Sequence, residues 1–187
     1  MDALCYNSDM KMNAAQLRTQ PVDTEVAKSI KKNPITIILD NVLDTYNIGS
    51  IFRLADAVAA EKVYLCGATE TPPNTRIKKA SINTCEWVDW EYASTALEAI
   101  EKCKMLHDKC QIIAVEQDKR SIPFEKITYI APVAIVVGNE SYGVSKEVLE
   151  RVDTIVELPM FGINTSLNVM VTTGIVLYDF LKQLHIV

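Results

Sequence analysis

The stretch Ile35–Cys66, ITIILDNVLDTYNIGSIFRLADAVAAEKVYLC, decides the fold. Its first five residues, Ile35–Leu39, are a β-branched apolar run of buried-strand length. The run stops at Asp40-Asn41, and a loop through Tyr46 leads to Asn47. Ile48–Ala57 then reads as a helix, and Val63–Cys66 as a second strand ended by Gly67. Strand, helix and strand in succession make a βαβ unit, which predicts a parallel sheet.

The same alternation continues downstream. Thr69–Thr75 is turn-rich, with Pro72-Pro73-Asn74, and is followed by the densest basic group of the chain, Arg76, Lys78 and Lys79. Trp87–Tyr92 reads as extended. Ser94 reads as the cap of a helix to about Lys109, with Ala96, Leu97, Ile100 and Leu106 on one face. Gln111–Val115 and Val133–Val137 are buried strands. The second runs straight into Gly138-Asn-Glu-Ser-Tyr-Gly-Val-Ser145, where Ser145 caps a short helix. Ile155–Leu158 is the last strand. After the loop Met160–Asn164 comes a long apolar helix whose start falls among Asn164, Thr165 and Ser166, all good caps. The expectation is an N-terminal arm over 1–33, with a helix, and one α/β domain over 34–187, its mostly parallel sheet flanked by helices. Lys28, Lys31 and Lys32 of the arm read equally as a solvated helix end or an RNA contact.

Composition bounds the chemistry. The 187 residues suffice for one well-buried domain. The most apolar run, Leu167–Leu184, is interrupted by Asn168, Asp179 and Lys182 and does not read as a membrane span. The N-terminus lacks the basic-then-apolar pattern of a secretory leader. Five cysteines, an odd number with no CxxC pair, fit reduced thiols and a cytoplasmic location. His107 and His185 are the only histidines, with no Cys/His cluster, so no metal site is expected. A net charge of −5 runs against a nucleic-acid binder, although a local basic patch on an acidic protein suffices for one.

Three loops follow predicted strands at their C-terminal ends, where open α/β sheets bind ligands: Asn41–Arg53, Gly138–Ser145 and Leu158–Asn168. Four of the six glycines, Gly49, Gly138, Gly143 and Gly162, fall in them, which points to tight turns or close approach to a ligand. The chain has no G-x-G-x-x-G, no P-loop and no G-x-S-x-G elbow, against a Rossmann dehydrogenase, a P-loop enzyme and a Ser–His hydrolase. Glu140 alone reads as a base, a ligand contact or a helix-end charge. Asn164–Asn168 reads equally as a helix cap or as a helix N-terminus turned to a ligand.

Taken together, the three loops resemble the SpoU, or TrmH-like, branch of the SPOUT RNA methyltransferases. The first motif is Asn47-Ile-Gly-Ser-Ile-Phe-Arg53-Leu-Ala-Asp-Ala57. The second is Ile135-Val-Val-Gly-Asn-Glu140-Ser-Tyr-Gly-Val-Ser145. The third is Leu158-Pro-Met160 followed by Ser166-Leu-Asn168-Val. Order and spacing agree, and the resemblance covers about residues 34–184.

The resemblance implies a deep C-terminal trefoil knot, a homodimer, S-adenosylmethionine as cofactor, and methylation of a ribose 2′-hydroxyl in tRNA or rRNA. It makes Arg53 the central catalytic residue, positioned by Asn47, with Glu140, Ser166 and Asn168 shaping the catalytic pocket. The cofactor is expected against Val115, Glu116, Gly138, Asn139, Gly143, Leu158, Met160, Ser166 and Leu167. RNA is expected on Arg76, Lys78 and Lys79, joined by Arg18 or Lys28–Lys32 of the partner's arm. Guanidinium is a poor base, so Arg53 is read as binding phosphate and stabilising the developing alkoxide. The plain alternative is a surface arginine paired with Asp56 or Asp44. Ser141 and Met170–Thr173 depart from the family's small residues. The small RNA-reading surface leans to tRNA. The rival readings are a non-catalytic RNA-binding relative that keeps the knot, and an α/β protein that binds another nucleotide or acts as a signalling receiver.

Overall fold

The computed structural model describes residues 11–186. Two short helices, α1 (Ala14–Thr19) and α2 (Thr24–Ser29), precede the sheet. Asn13 and Gln16 close the start of α1 as a capping box, each side chain bonding the other's backbone. The α1 segment is tied to the domain where Asn83 Nδ2 donates to the Leu17 carbonyl at 2.6 Å. The first ten residues of the expected arm lie outside the described residues.

The apolar runs form a seven-stranded sheet of order β3-β2-β1-β6-β4-β7-β5, with every neighbour parallel. The strands are β1 (Asn33–Asp40), β2 (Ala60–Cys66), β3 (Trp90–Ala93), β4 (Gln111–Val115), β5 (Ile122–Pro123), β6 (Val133–Gly138) and β7 (Thr154–Glu157). The remaining helices are α3 (Thr45–Ala57), α4 (Thr75–Ser81), α5 (Ala96–Leu106), α6 (Lys146–Leu149) and α7 (Val169–Gln183). Alternation along β1 divides the core. Ile35, Ile37 and Leu39 pack with α3 and α7 through Phe52, Val176, Leu177 and Phe180. Ile38 packs on the opposite face with Ala99 and Ile100 of α5 and Val148 of α6. The sheet is thus covered on both faces, which is why its central strands are continuous apolar runs rather than alternating ones.

Several local readings shift. The last helix begins at Val169, not among Asn164–Ser166. Asn164 Oδ1 accepts from Ser166 N–H in a turn, whereas Asn168 Oδ1 accepts from Met170 N–H and is the true N-cap. Thr95, not Ser94, caps α5; Ser94 is bonded instead by the Glu98 carboxylate, and the helix ends at Leu106 where His107 turns extended. The basic segment Arg76–Lys79 is helical: Asn74 caps it, but only Ile77 and Ser81 are buried, so it carries too little apolar periodicity to read. Trp87 lies at the end of a 3-10 turn, and the expected extended segment begins only at Trp90. Ser145 precedes α6 without a side-chain cap. Gly49 lies inside α3, within the segment read as helical, and a Cβ there would meet Ala80 Cβ at 2.6 Å, so it sets how closely α3 and α4 approach. Thr172 and Thr173, polar departures in α7, both return their hydroxyls to the Val169 carbonyl.

Candidate active site

The sheet order reverses between β1 and β6. From β1 the chain winds outward to β2 and β3, and the later strands build on the other side, so a crevice is expected beyond the strand C-termini. Asp40 ends β1 there and is 2% exposed. Its carboxylate accepts from Ser145 N–H and from Asn41 Nδ2, both at 2.8 Å, which fastens the loop after β6 to the end of β1. Asn41 takes a positive φ of 57°, which Asn tolerates better than most residues. Its Oδ1 accepts from Ala68 N–H, and its carbonyl accepts from Asn139 Nδ2.

The loop Gly138–Ser145 is a rigid turn. Asn139 and Gly143 exchange both backbone hydrogen bonds, at 3.0 and 2.9 Å. Asn139 Oδ1 also accepts from Ser141 and Tyr142 N–H. Gly143 has a φ of +68°, and a Cβ there would come within 2.0 Å of Glu116 Oε2, the atom that accepts from Val144 N–H. A Cβ on Gly138 would strike the Gly143 carbonyl carbon at 2.2 Å.

Glu140 points back to the loop after β1. Its carboxylate accepts from Leu43 N–H (3.1 Å), Asp44 N–H (3.0 Å) and Asn47 Nδ2 (2.9 Å). Partial burial works against the charge, but the Asn47, Leu43 and Asp44 donors outweigh it and hold the carboxyl below its usual range. Asn47, 7% exposed, completes a string: its Oδ1 accepts from Asn168 Nδ2 at 2.9 Å. One side chain from each motif, Asn47, Glu140 and Asn168, is therefore joined in one hydrogen-bonded line.

Beside that line is a cavity of about 600 Å³, at the ends of the adjacent strands β6, β4 and β7. All nine residues expected to touch the cofactor line it: Val115, Glu116, Gly138, Asn139, Gly143, Leu158, Met160, Ser166 and Leu167. Glu140 and Asn168 line it as well, together with Gln117, Tyr142, Glu157, Asn164, Thr165 and Thr172, which the motifs did not single out. Gln117 Nε2 donates to the Thr165 carbonyl, the link from the β4 end to the loop before α7. Ser166 N–H bonds Asn164, and the Ser166 hydroxyl has no partner among the described residues.

Arg53 stands apart. It does not line the cavity, and Asn47 bonds Glu140 and Asn168 rather than Arg53. The six-position step from Asn47 to Arg53 on α3 amounts to about 9 Å of rise and about 1.7 turns, so they lie on different faces. Nor does Arg53 pair with Asp44 or Asp56: Asp44 caps Tyr46 N–H, and Asp56 accepts from Trp87 Nε1. The Arg53 side chain is exposed and without a hydrogen bond or ion pair among the described residues. Arg76, Lys78 and Lys79 are exposed on α4; Lys78 is held by Glu86, while Arg76 and Lys79 have no such partner among the described residues. The four described cysteines, Cys66, Cys85, Cys103 and Cys110, are buried free thiols, and burial pushes Cys66 and Cys103 up to about 12.

This arrangement occurs in known proteins. Residues 34–178 match the SpoU rRNA Methylase family. The chain is 33% identical over 159 residues to a tRNA (guanosine(18)-2'-O)-methyltransferase of Aquifex aeolicus (strain VF5), covering 82% of this chain and 71% of that protein. Its fold is similar to the crystal structure of the A. aeolicus TrmH/SpoU tRNA modifying enzyme, with a TM-score of 0.74 and 31% identity over 92% of this chain and 82% of that one. It is also similar to an AdoMet-bound rRNA methyltransferase from Sinorhizobium meliloti, with a TM-score of 0.74 and 27% identity over 84% of this chain and 60% of that one. The chain spans 63–71% of the length of several curated bacterial relatives it matches. With its three motifs joined at one site and most of its length matched, the chain belongs to the SpoU rRNA Methylase family.

Proposed function

We propose that this chain transfers the methyl group of S-adenosylmethionine to the 2′-hydroxyl of a ribose in RNA. The observation that carries the reading is the single cavity into which the second and third motifs converge, with the Ser166 hydroxyl unpartnered at its wall. The cavity suits the cofactor. Its volume is in the ordinary range for small-molecule sites. Val115, Leu158, Met160 and Leu167 offer apolar surface to an adenine ring, and Glu157 and Glu140 place carboxylates near a cationic ligand. When bound, the cofactor supplies a methyl group already activated on a sulfonium.

The chain's own residues then align the nucleophile. Ser166 is placed to hydrogen-bond the ribose hydroxyl, and the Asn168–Asn47–Glu140 line holds its loop in position. Glu140 is a positioning residue rather than a base, since three donors already occupy a carboxylate held below its usual range. Arg53, with no acidic partner, binds an RNA phosphate and stabilises negative charge as it develops on the ribose oxygen.

The working unit in this reading is a homodimer. Val171, Ile175 and Tyr178 lie at helical spacing on α7, and all are exposed. Such a stripe is typical of a surface buried by a second copy. Helix α7 packs on α3, whose exposed face carries Tyr46 and Arg53. A dimer joined here takes Arg53 into the interface, outside its own cavity. The trefoil knot belongs to the same proposal. It is supported by α7 contacting both α3 and β6, and by the bonds that tie the preceding loop to Gln117 and Asn47. RNA, with tRNA favoured over rRNA, runs over Arg76 and Lys79 of α4, joined by Arg18, whose neighbour Leu17 is bonded to Asn83 just beyond α4, and its binding weakens steeply with salt.

Methyl transfer from labelled S-adenosylmethionine to unfractionated tRNA and rRNA tests the reading, with nuclease digestion and mass spectrometry locating the modified ribose. Arg53→Ala lowers transfer about a hundredfold or more while calorimetric cofactor affinity is unchanged. Full activity in that variant removes Arg53 from the chemistry. Absence of cofactor binding in the parent chain removes the enzyme reading altogether.

A further inference from the structure

Tyr142 is 90% exposed, yet it lines the cavity that holds Ser166 and Asn168. An aromatic ring left this open is ordinarily mobile, but the backbone beneath this one is held on both sides. Asn139 Oδ1 accepts the Tyr142 N–H at 3.1 Å. The next residue, Gly143, is locked by its paired bonds with Asn139 and by its left-handed φ. The next again, Val144, donates to Glu116 at 2.8 Å. The ring is thus carried, almost fully exposed among the described residues, on a fixed turn at the edge of the site.

From this placement we propose that Tyr142 is the stacking platform for the nucleobase of the methylated nucleotide, or for its immediate neighbour. The inference rests on the RNA methyltransferase reading. Single-stranded RNA is recognised largely by stacking unpaired bases on aromatic side chains, and a platform mounted on a rigid turn loses little freedom on binding. Because every base has a π-face, the residue grips RNA without fixing the base by hydrogen bonds; it sets how the ribose sits over Ser166. The phenolic hydroxyl is not needed for this, but the ring is.

The test uses full-length protein, labelled S-adenosylmethionine, and unfractionated tRNA and rRNA from a strain deleted for the gene. Tyr142→Ala raises the KM for RNA about tenfold or more, and leaves calorimetric cofactor affinity and the oligomeric state by light scattering unchanged. Tyr142→Phe and Tyr142→Trp restore the parent KM. Tyr142→Leu, similar in apolar size but without a ring face, does not. The fluorescence of the Trp variant, over the background of Trp87 and Trp90, is quenched on adding RNA. An active parent whose Ala variant has an unaltered RNA KM overturns the inference and leaves the enzyme reading intact. So does rescue by Leu. A weakened cofactor affinity assigns the ring to the cofactor instead, and loss of the dimer assigns it to the interface; either overturns the proposal. A parent chain that transfers no methyl group ends the enzyme reading and this inference together.

Discussion

Gly138–Ser145 and residues 158–168 both wall the same cavity, but they are held very differently. In the first, Asn139, Glu140, Gly143, Val144 and Ser145 all bond to fixed points elsewhere in the domain or turn, namely Asn41, Asn47, Glu116 and Asp40. In the second, residues 161–168 are all exposed, and Phe161 and Ile163 are 97% and 102% exposed. Four side-chain bonds hold it among the described residues: Gln117 to Thr165, Asn164 to Ser166, and Asn168 to both Asn47 and Met170. Even the glycines differ. Gly143 has no room for a Cβ, whereas a Cβ on Gly162 would meet nothing within 4 Å. One wall is a finished template. The other is exposed and sparsely bonded, the kind of segment from which ligand-binding loops are drawn.

The largest effect should come from breaking the finished wall at its tightest point. Gly143→Ala must place an Ala at positive φ and displace the Glu116 carboxylate from Val144 N–H. Backbone strain and the lost charge-assisted bond together cost about 3 kcal/mol. Urea unfolding should register that loss, and cofactor binding should fall with it. Gly162→Ala serves as the matched control, with a midpoint close to the parent's. Equal midpoints for the two variants would erase the distinction between the walls.

A smaller effect is expected where the looser wall is fastened. Asn168→Ala removes both the cap of α7 and the bond to Asn47. The cap is worth about 1 kcal/mol and the partly buried bond a similar amount, so stability falls by about 2 kcal/mol. Hydrogen exchange should rise in residues 160–172 and not in residues 138–145. Matching increases in both segments would show that the walls are coupled throughout rather than joined at one line.

Much of the template was legible because its residue types are dictated locally. Strand ends, Gly138, Gly143 and the apolar Leu158 and Leu167 fall at positions a linear pattern can mark, and the expected cofactor contacts do share one cavity. What sequence could not supply was partnership. The Glu140–Asn47, Asn168–Asn47 and Ser145–Asp40 bonds join residues 93, 121 and 105 positions apart. The resemblance sets Asn47 beside Arg53, whereas its hydrogen-bond partners, Glu140 and Asn168, come from distant loops. Asp40 reads in the sequence only as the end of a strand, and Asn41 as that end and the start of the first loop. The available signal was a carboxylate at a buried strand terminus next to a residue that tolerates positive φ. The start of α7 was misplaced because Asn164 and Asn168 carry the same capping group, and only the backbone beyond each shows which one opens a helix.

The smallest effect concerns the charge that joins the walls. Glu140→Gln keeps the shape but gives up the anionic acceptor for Leu43, Asp44 and Asn47. Because the carboxylate is partly in water, the cost near neutral pH is about 1 kcal/mol. Folding depresses this carboxyl's pKa, so its contribution is complete above the unfolded value of about 4.3 and is lost as pH falls through the lower folded value. The urea midpoints of parent and variant should accordingly lie apart at pH 7 and converge below about pH 4. A gap that persisted unchanged to pH 3 would mean that the line from Asn168 to Glu140 depends on shape alone. Convergence would show that a single ionised carboxylate holds the loose wall to the finished one.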